Sequence, residues 1–171
     1  MMEKKRIQIV LVIALSIFTI VGCSENKGVF DGNIYVNKVM GIKIIPPKEW
    51  IIEETQNFIG AYVTFYSTPN KQTCIQLTKN KVKLPTEAMV ANIRDTNTGI
   101  IIAEGKSTFN GMPAYIMDFI YDNPIEANKR VILLIQNGRS YGVMYYIVKD
   151  NDYHNNMETI YKSLETLQFQ K

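Results

Sequence analysis

Short apolar runs separated by turn residues dominate the chain after residue 32, and their spacing twice changes from that of a strand to that of a helix. Residues 34–36 and 42–45 read as the first strands, stopped by Pro46-Pro47, with 50–53 a weaker one. Residues 61–66 and 73–79 follow, joined by the turn-forming Thr68-Pro69-Asn70-Lys71. A helix is predicted next. Pro85 and Thr86 stand ahead of Glu87, Met89, Val90 and Ile93 recur at helical spacing, and Gly99 marks the exit. Four more strands are expected over 99–109, 113–121, 129–136 and 140–148. Two of their turns, Asn110-Gly111 and Asn137-Gly138, favour two-residue hairpins because both residue types accept positive φ. The four strands thus form an antiparallel meander. A second helix closes the chain over 152–165, with Tyr153, Met157, Ile160, Tyr161 and Leu164 as one apolar stripe.

A two-residue turn also fixes which side chains share a face. With Asn137-Gly138 as the turn, Leu134 faces Tyr141 and Ile132 faces Val143 on one side, while Val131 faces Met144 on the other, beside Leu133. Both faces come out apolar, whereas an antiparallel sheet with one wet face alternates apolar and polar residues. The two amphipathic helices are the available covers. The expected fold is therefore α+β: an α/β/α sandwich whose central antiparallel sheet is covered by helices on both faces.

The amino terminus departs from this pattern. Lys4, Lys5 and Arg6 precede an apolar run over 7–21, the layout of a secretory signal. The run is near the length that spans a bilayer, so an uncleaved membrane anchor competes with that interpretation. Ile20-Val21-Gly22-Cys23 favours processing: it resembles the lipobox of bacterial lipoproteins, in which a small residue precedes a cysteine that is lipidated and becomes the new terminus. Ile20 stands where leucine is usual. The expected division is a signal peptide over 1–22, lipidated Cys23 with a polar, aperiodic tether over 23–32, and one folded domain over 33–171. Such a tether could hold the domain up to about 30 Å from the bilayer. Each buried CH₂ of the lipid adds about 0.8 kcal/mol, so the several acyl chains that the resemblance implies would anchor the protein durably at the extracytoplasmic face of the cell membrane.

Charge and cysteine content narrow the partners. The formal charge is +3, but Glu3, Lys4, Lys5 and Arg6 supply +2 of it, leaving +1 after processing. No Lys/Arg cluster interleaved with aromatics follows, so a nucleic-acid partner is not expected. With Cys23 lipidated, Cys74 is the remaining thiol and no internal disulfide can form. Its strand-like context, Thr73-Cys74-Ile75-Gln76-Leu77, favours a small buried hydrophobe over a reactive thiol.

Candidate chemistry is sparse. His154 is the one histidine and has no partner at metal-ligand spacing, so no metal is expected. There is no Gly-rich phosphate loop, no Gly-x-Ser-x-Gly elbow and no Cys-x-x-Cys, and hence no cofactor is expected. A carboxylate pair assembled in space would escape such a search. Asp150, Asp152 and His154 lie in an oxygen-rich run that could hold a cation or ligand, but it lacks the glycine and distal glutamate of an EF-hand. It also stands at a helix start, where Asp and Asn cap backbone donors, and capping is the preferred role. Asp118 interrupts an apolar strand. It is either a ligand-facing acid or, if the turn over 122–128 sets the register, the partner of Arg130 in a structural cross-strand ion pair, and the pair is preferred.

Gly41-Ile42-Lys43-Ile44-Ile45-Pro46-Pro47-Lys48-Glu49-Trp50 resembles the strand-then-Pro-x-x-Trp opening of PsbP-like domains. Asn110-Gly111-Met112-Pro113-Ala114-Tyr115, the Asn-Gly turn before Tyr141 and the helix running into residues 164–169 match the second half of that pattern in order. The likeness spans roughly the whole folded domain. That family includes the extrinsic PsbP subunit of photosystem II, a Ran-binding relative and many bacterial lipoproteins. The resemblance implies an α/β/α sandwich that acts by binding and carries no catalytic set. The expected function is a non-catalytic, lipid-anchored extracytoplasmic binding or accessory module, partnered by the membrane through its lipid and by an envelope protein or small ligand. The alternatives are a membrane-associated hydrolase built on an unrecognised carboxylate pair, or an envelope-protein assembly factor with an exposed apolar patch or groove.

Overall fold

A computed structural model describes residues 27–56, 60–68, 73–80, 85–121, 128–137, 139–148 and 152–170. Strands β4 (Ile51–Gln56), β5 (Gly60–Tyr66), β6 (Cys74–Asn80), β7 (Ile100–Phe109), β8 (Met112–Tyr121), β9 (Asn128–Asn137) and β10 (Arg139–Ile147) form one sheet in the order β4-β5-β6-β10-β9-β8-β7. Every neighbouring pair is antiparallel. The expected meander is the β7-to-β10 half of it. A second sheet joins β1 (Val29–Asp31), β2 (Ile34–Asn37), β3 (Ile42–Ile44) and the short β11 (Gln168–Phe169). The helices are α1 (Thr86–Thr96) and α2 (Tyr153–Glu165).

The β7–β8 hairpin forms as expected. Phe109 opposes Met112, and Asn110 and Gly111 take φ of 47° and 76°, the left-handed pair that a two-residue turn compatible with strand twist requires. The Asn110 amide also donates to the Leu167 carbonyl at 2.8 Å, tying the hairpin tip to the chain beyond α2.

The β9–β10 register differs from expectation by one residue. Arg139 opposes Asn137, so Tyr141 faces Ile135, Val143 faces Leu133 and Met144 faces Ile132. The conclusion drawn from the wrong register survives for a physical reason: residues 131–135 of β9 are all apolar and buried, so either alternation gives two apolar faces. Val131, Leu133 and Ile135 share one core cluster with Ile160 and Leu164 of α2 and with Tyr35, Ile42 and Ile44 of the small sheet. Ile132 and Leu134 share a second cluster with Met117, Phe119 and Val90 of α1.

Polar groups lock the small sheet and α2 together. Ser163 Oγ donates to the Ile45 carbonyl at 2.6 Å, and the Ile45 N–H donates to Thr166 Oγ1 at 2.8 Å. Of the stripe predicted on α2, Ile160 and Leu164 are buried and Tyr153 and Met157 are half-buried, while Tyr161 is 43% exposed and reaches the Tyr145 hydroxyl at 3.3 Å.

The fold takes in residues that the sequence assigned to a tether over 23–32. Val29, Phe30 and Asp31 pair with Val36, Tyr35 and Ile34, so the fold begins before residue 33. The turn between them holds Gly32 at a φ of 62°, which an Asp-Gly-Asn sequence supplies readily.

Candidate functional site

Two features occupy the face of the large sheet on which α1 packs. The first is an open groove of about 590 Å³ between the start of α1 and the β7–β8 hairpin. Its floor follows from strand register: Lys106 of β7 opposes Tyr115 of β8, which opposes Leu134 of β9. Val90 and Pro113 add apolar surface, Thr86, Ser107 and Thr108 add hydroxyls, and Lys106, Arg94 and Glu87 add charge. Arg94 is held in a forked ion pair with Glu104, at 2.6 Å and 3.3 Å, and this carboxylate raises the guanidinium's pKa further. Lys106 is exposed and Glu87 is the one carboxylate among the described lining residues. An apolar floor rimmed by hydroxyls and an exposed ammonium suits a ligand with both apolar and polar parts. No acid pair is brought together in that lining.

The second feature lies at the other end of α1. Arg130 Nη1 donates to Asn97 Oδ1 at 2.7 Å and to the Tyr121 hydroxyl at 3.2 Å, and that hydroxyl donates to the same Asn97 oxygen at 2.6 Å. Asn97 is the C-cap of α1, and both its backbone N–H and its side-chain amide donate to the Ile93 carbonyl. A cation at a helix C-terminus meets the negative end of the helix dipole. Arg130 is thus a clamp that fastens the end of α1 to the sheet.

This overturns the expected pairing of Arg130 with Asp118. Phe119 opposes Arg130, whereas Asp118 opposes Val131 on the opposite face. A one-residue displacement in register carries a side chain to the other side of a sheet. Asp118 instead pairs with Lys129 at 3.2 Å, and its Oδ1 is a buried oxygen without a hydrogen-bond partner among the described residues. Helix capping at the start of α2 is met in position only among the described residues. Asp152 occupies the N-cap position, but its side chain makes no capping hydrogen bond. Asp152 and His154 are exposed, and His154 meets Tyr153 edge to face with ring centres 5.5 Å apart. Among the described residues no group of three or more potential ligands could hold a metal ion. Asp150 and the processing motif Ile20, Val21, Gly22 and Cys23 lie outside the described residues.

Cys74 is 9% exposed and burial pushes its thiol pKa up, while Tyr146 and Arg130 pull it down less strongly. No described helix is long and apolar enough to cross a membrane. Sequence reasoning missed the groove, since it depends on which strands flank α1. It also missed β1, although Asp31-Gly32-Asn33 between Val29-Phe30 and Ile34-Tyr35 is a hairpin signal.

The chain matches no family model and no curated protein. Solved structures do resemble it. A solution structure of cyanobacterial PsbP (CyanoP) from Synechocystis superposes with a TM-score of 0.54 at 10% identity, covering 86% of this chain and 95% of that one. A crystal structure from Bacteroides thetaiotaomicron gives 0.52 at 10% identity over 83% of this chain, which spans 50% of that longer one. A weaker likeness, 0.44 at 8% identity, is to LpqN of Mycobacterium tuberculosis, described as involved in cell envelope biogenesis, over 76% and 83% of the two chains. The fold is PsbP-like.

Proposed function

We propose that this protein is a lipid-anchored, extracytoplasmic PsbP-like module that binds a ligand or partner in the groove beside α1 and does not transform it. The groove carries the reading, because its apolar floor and polar rim form a built concavity on a rigid sheet. The anchor rests on Ile20 to Cys23 and the preceding apolar run. The sandwich reading goes with it: the division of the two apolar clusters, one holding α1 and the other α2 with the small sheet, supports covering elements on both faces.

The test uses the whole chain in living cells. Cys23→Ala should abolish incorporation of labelled palmitate and leave a larger precursor, and undiminished labelling defeats the anchor. A photo-reactive side chain at exposed Thr108, on the groove, should capture a ligand that one at Ile51, on the far edge strand, does not. Equal capture from both positions defeats the groove. Turnover of the captured ligand by the wild type but not by Glu87→Gln would defeat the non-catalytic reading.

One observation favours assembly of envelope proteins as a second reading. Ile100 and Ile102 are 66% and 52% exposed on the edge strand β7, where an extended segment could add by strand pairing. Ile102→Lys should then reduce recovery of folded envelope proteins without lowering this protein's own melting temperature.

A further inference from the structure

The chain enters the fold at a fixed point on the small sheet. The Gly28 N–H donates to both carboxylate oxygens of Glu54, at 3.1 Å and 3.0 Å, and a Cβ there would come within 2.3 Å of the Tyr35 ring. Gly28 is therefore pinned, and Cys23 precedes it by five positions. At full extension that stretch reaches only about 17 Å, roughly half of what a tether ending at residue 32 would allow. A lipid on Cys23 would hold this end of the small sheet at the headgroups.

The surface at that point has the composition of a membrane contact. Val29 is 58% exposed, whereas Phe30 lies on the other face, edge to face with Tyr35. Val29 opposes Val36, Val36 opposes Lys43, and Lys43 opposes Gln168, so the four make one row across all the strands of the sheet. Because side chains alternate along a strand, this row lies on the face turned away from buried Tyr35, Ile42 and Ile44. Exposed Lys27 and Lys38 lie just beyond the paired ends of β1 and β2, and Asp31 is the acid on these strands. Apolar side chains sink into an interface while lysines reach the phosphates, and each lysine near an anionic surface strengthens binding about fivefold.

We propose that the outer face of the four-stranded sheet, carrying Val29, Val36 and Lys43 and flanked by Lys27 and Lys38, lies flat on an anionic lipid bilayer. The proposal rests on the lipid-anchored reading and deepens it by giving the domain a fixed orientation on the membrane.

The test reconstitutes the mature lipidated protein in phosphatidylethanolamine–phosphatidylglycerol vesicles containing spin-labelled lipid. An environment-sensitive fluorophore is placed in turn at Val29→Cys, at Gln168→Cys and at Ile100→Cys, an exposed site on the far sheet edge. Palmitate on Cys23 is measured in the same preparations. Val29 lies near the anchor and would be quenched by tethering alone, so Gln168, at the opposite edge of the row, is the deciding position. Quenching at both 29 and 168, about threefold or more above that at 100 and weakened by Lys38→Glu with Lys43→Glu, supports a flat contact. A lipidated protein quenched at 29 alone, or equally at all three, overturns the docking face and leaves the anchor standing. Absence of lipid on Cys23 overturns both.

Discussion

Replacing Arg130 by methionine tests whether the clamp at the end of α1 holds the helix to the sheet. The variant keeps an unbranched apolar side chain beside Met144 but loses the donors to Asn97 at 2.7 Å and to Tyr121 at 3.2 Å. Hydrogen bonds from a charged group contribute about 1.5–3 kcal/mol net, and a cation at a helix C-terminus about 0.3–1 kcal/mol. The lower part of that range applies, because the Tyr121 hydroxyl at 2.6 Å still satisfies the Asn97 oxygen after the change. The expected loss is about 2–3 kcal/mol. Unfolding entropy for a domain of this size is about 0.3 kcal/mol/K, so the melting temperature should fall by roughly 7–10 °C. A double-mutant cycle with Asn97→Ala separates the clamp from general damage, and coupling of about 1 kcal/mol is expected for directly bonded residues. Asp118→Asn provides the contrast: it lies on the opposite face, and its effect should add to that of Arg130→Met. A melting shift below about 2 °C, or no coupling to Asn97, refutes the clamp. Coupling to Asp118 instead would restore the ion pair that the register excludes.

Gly28→Ala should destabilise the small sheet by about 1–3 kcal/mol, the usual cost of overpacking, and hydrogen exchange should show faster opening of β1 with little change in β9. Cys74 in the native protein should resist a thiol reagent at pH 8 and react fully in denaturant, since burial both shields the sulfur and disfavours its thiolate. Fast labelling of folded protein would contradict that placement. Burial raises the pKa values of the Tyr35 and Tyr145 phenols above the ordinary phenol range, so the unfolded chain gives up these protons first as pH rises. Their contribution is complete below pH 10 and shrinks above it, so stability should fall with alkaline pH and fall less steeply in Tyr145→Phe. A flat pH profile from 9 to 11 would argue against deep burial of either ring.

Periodicity along the chain determined most of the secondary structure, because each signal is local. The helical spacing of Val90 and Ile93 and of Ile160 and Leu164 produced α1 and α2, and Asn110-Gly111 produced its hairpin with the register intact. The conclusion that the sheet has two apolar faces also followed from sequence alone, since residues 131–135 are apolar at every position. Whatever depended on counting across an uncertain turn needed the tertiary structure. One residue at the β9–β10 turn changed every partner in that pair, and the β8–β9 register parted Asp118 from Arg130, because a strand's period of two converts a single step into the opposite face. The split into two sheets, and with it the groove beside α1 and the pinned entry at Gly28, was likewise a tertiary decision. Those features are made by residues as far apart as Gly28 and Glu54, or Arg94 and Leu134, which no local pattern joins and which only the packing of the core brings together.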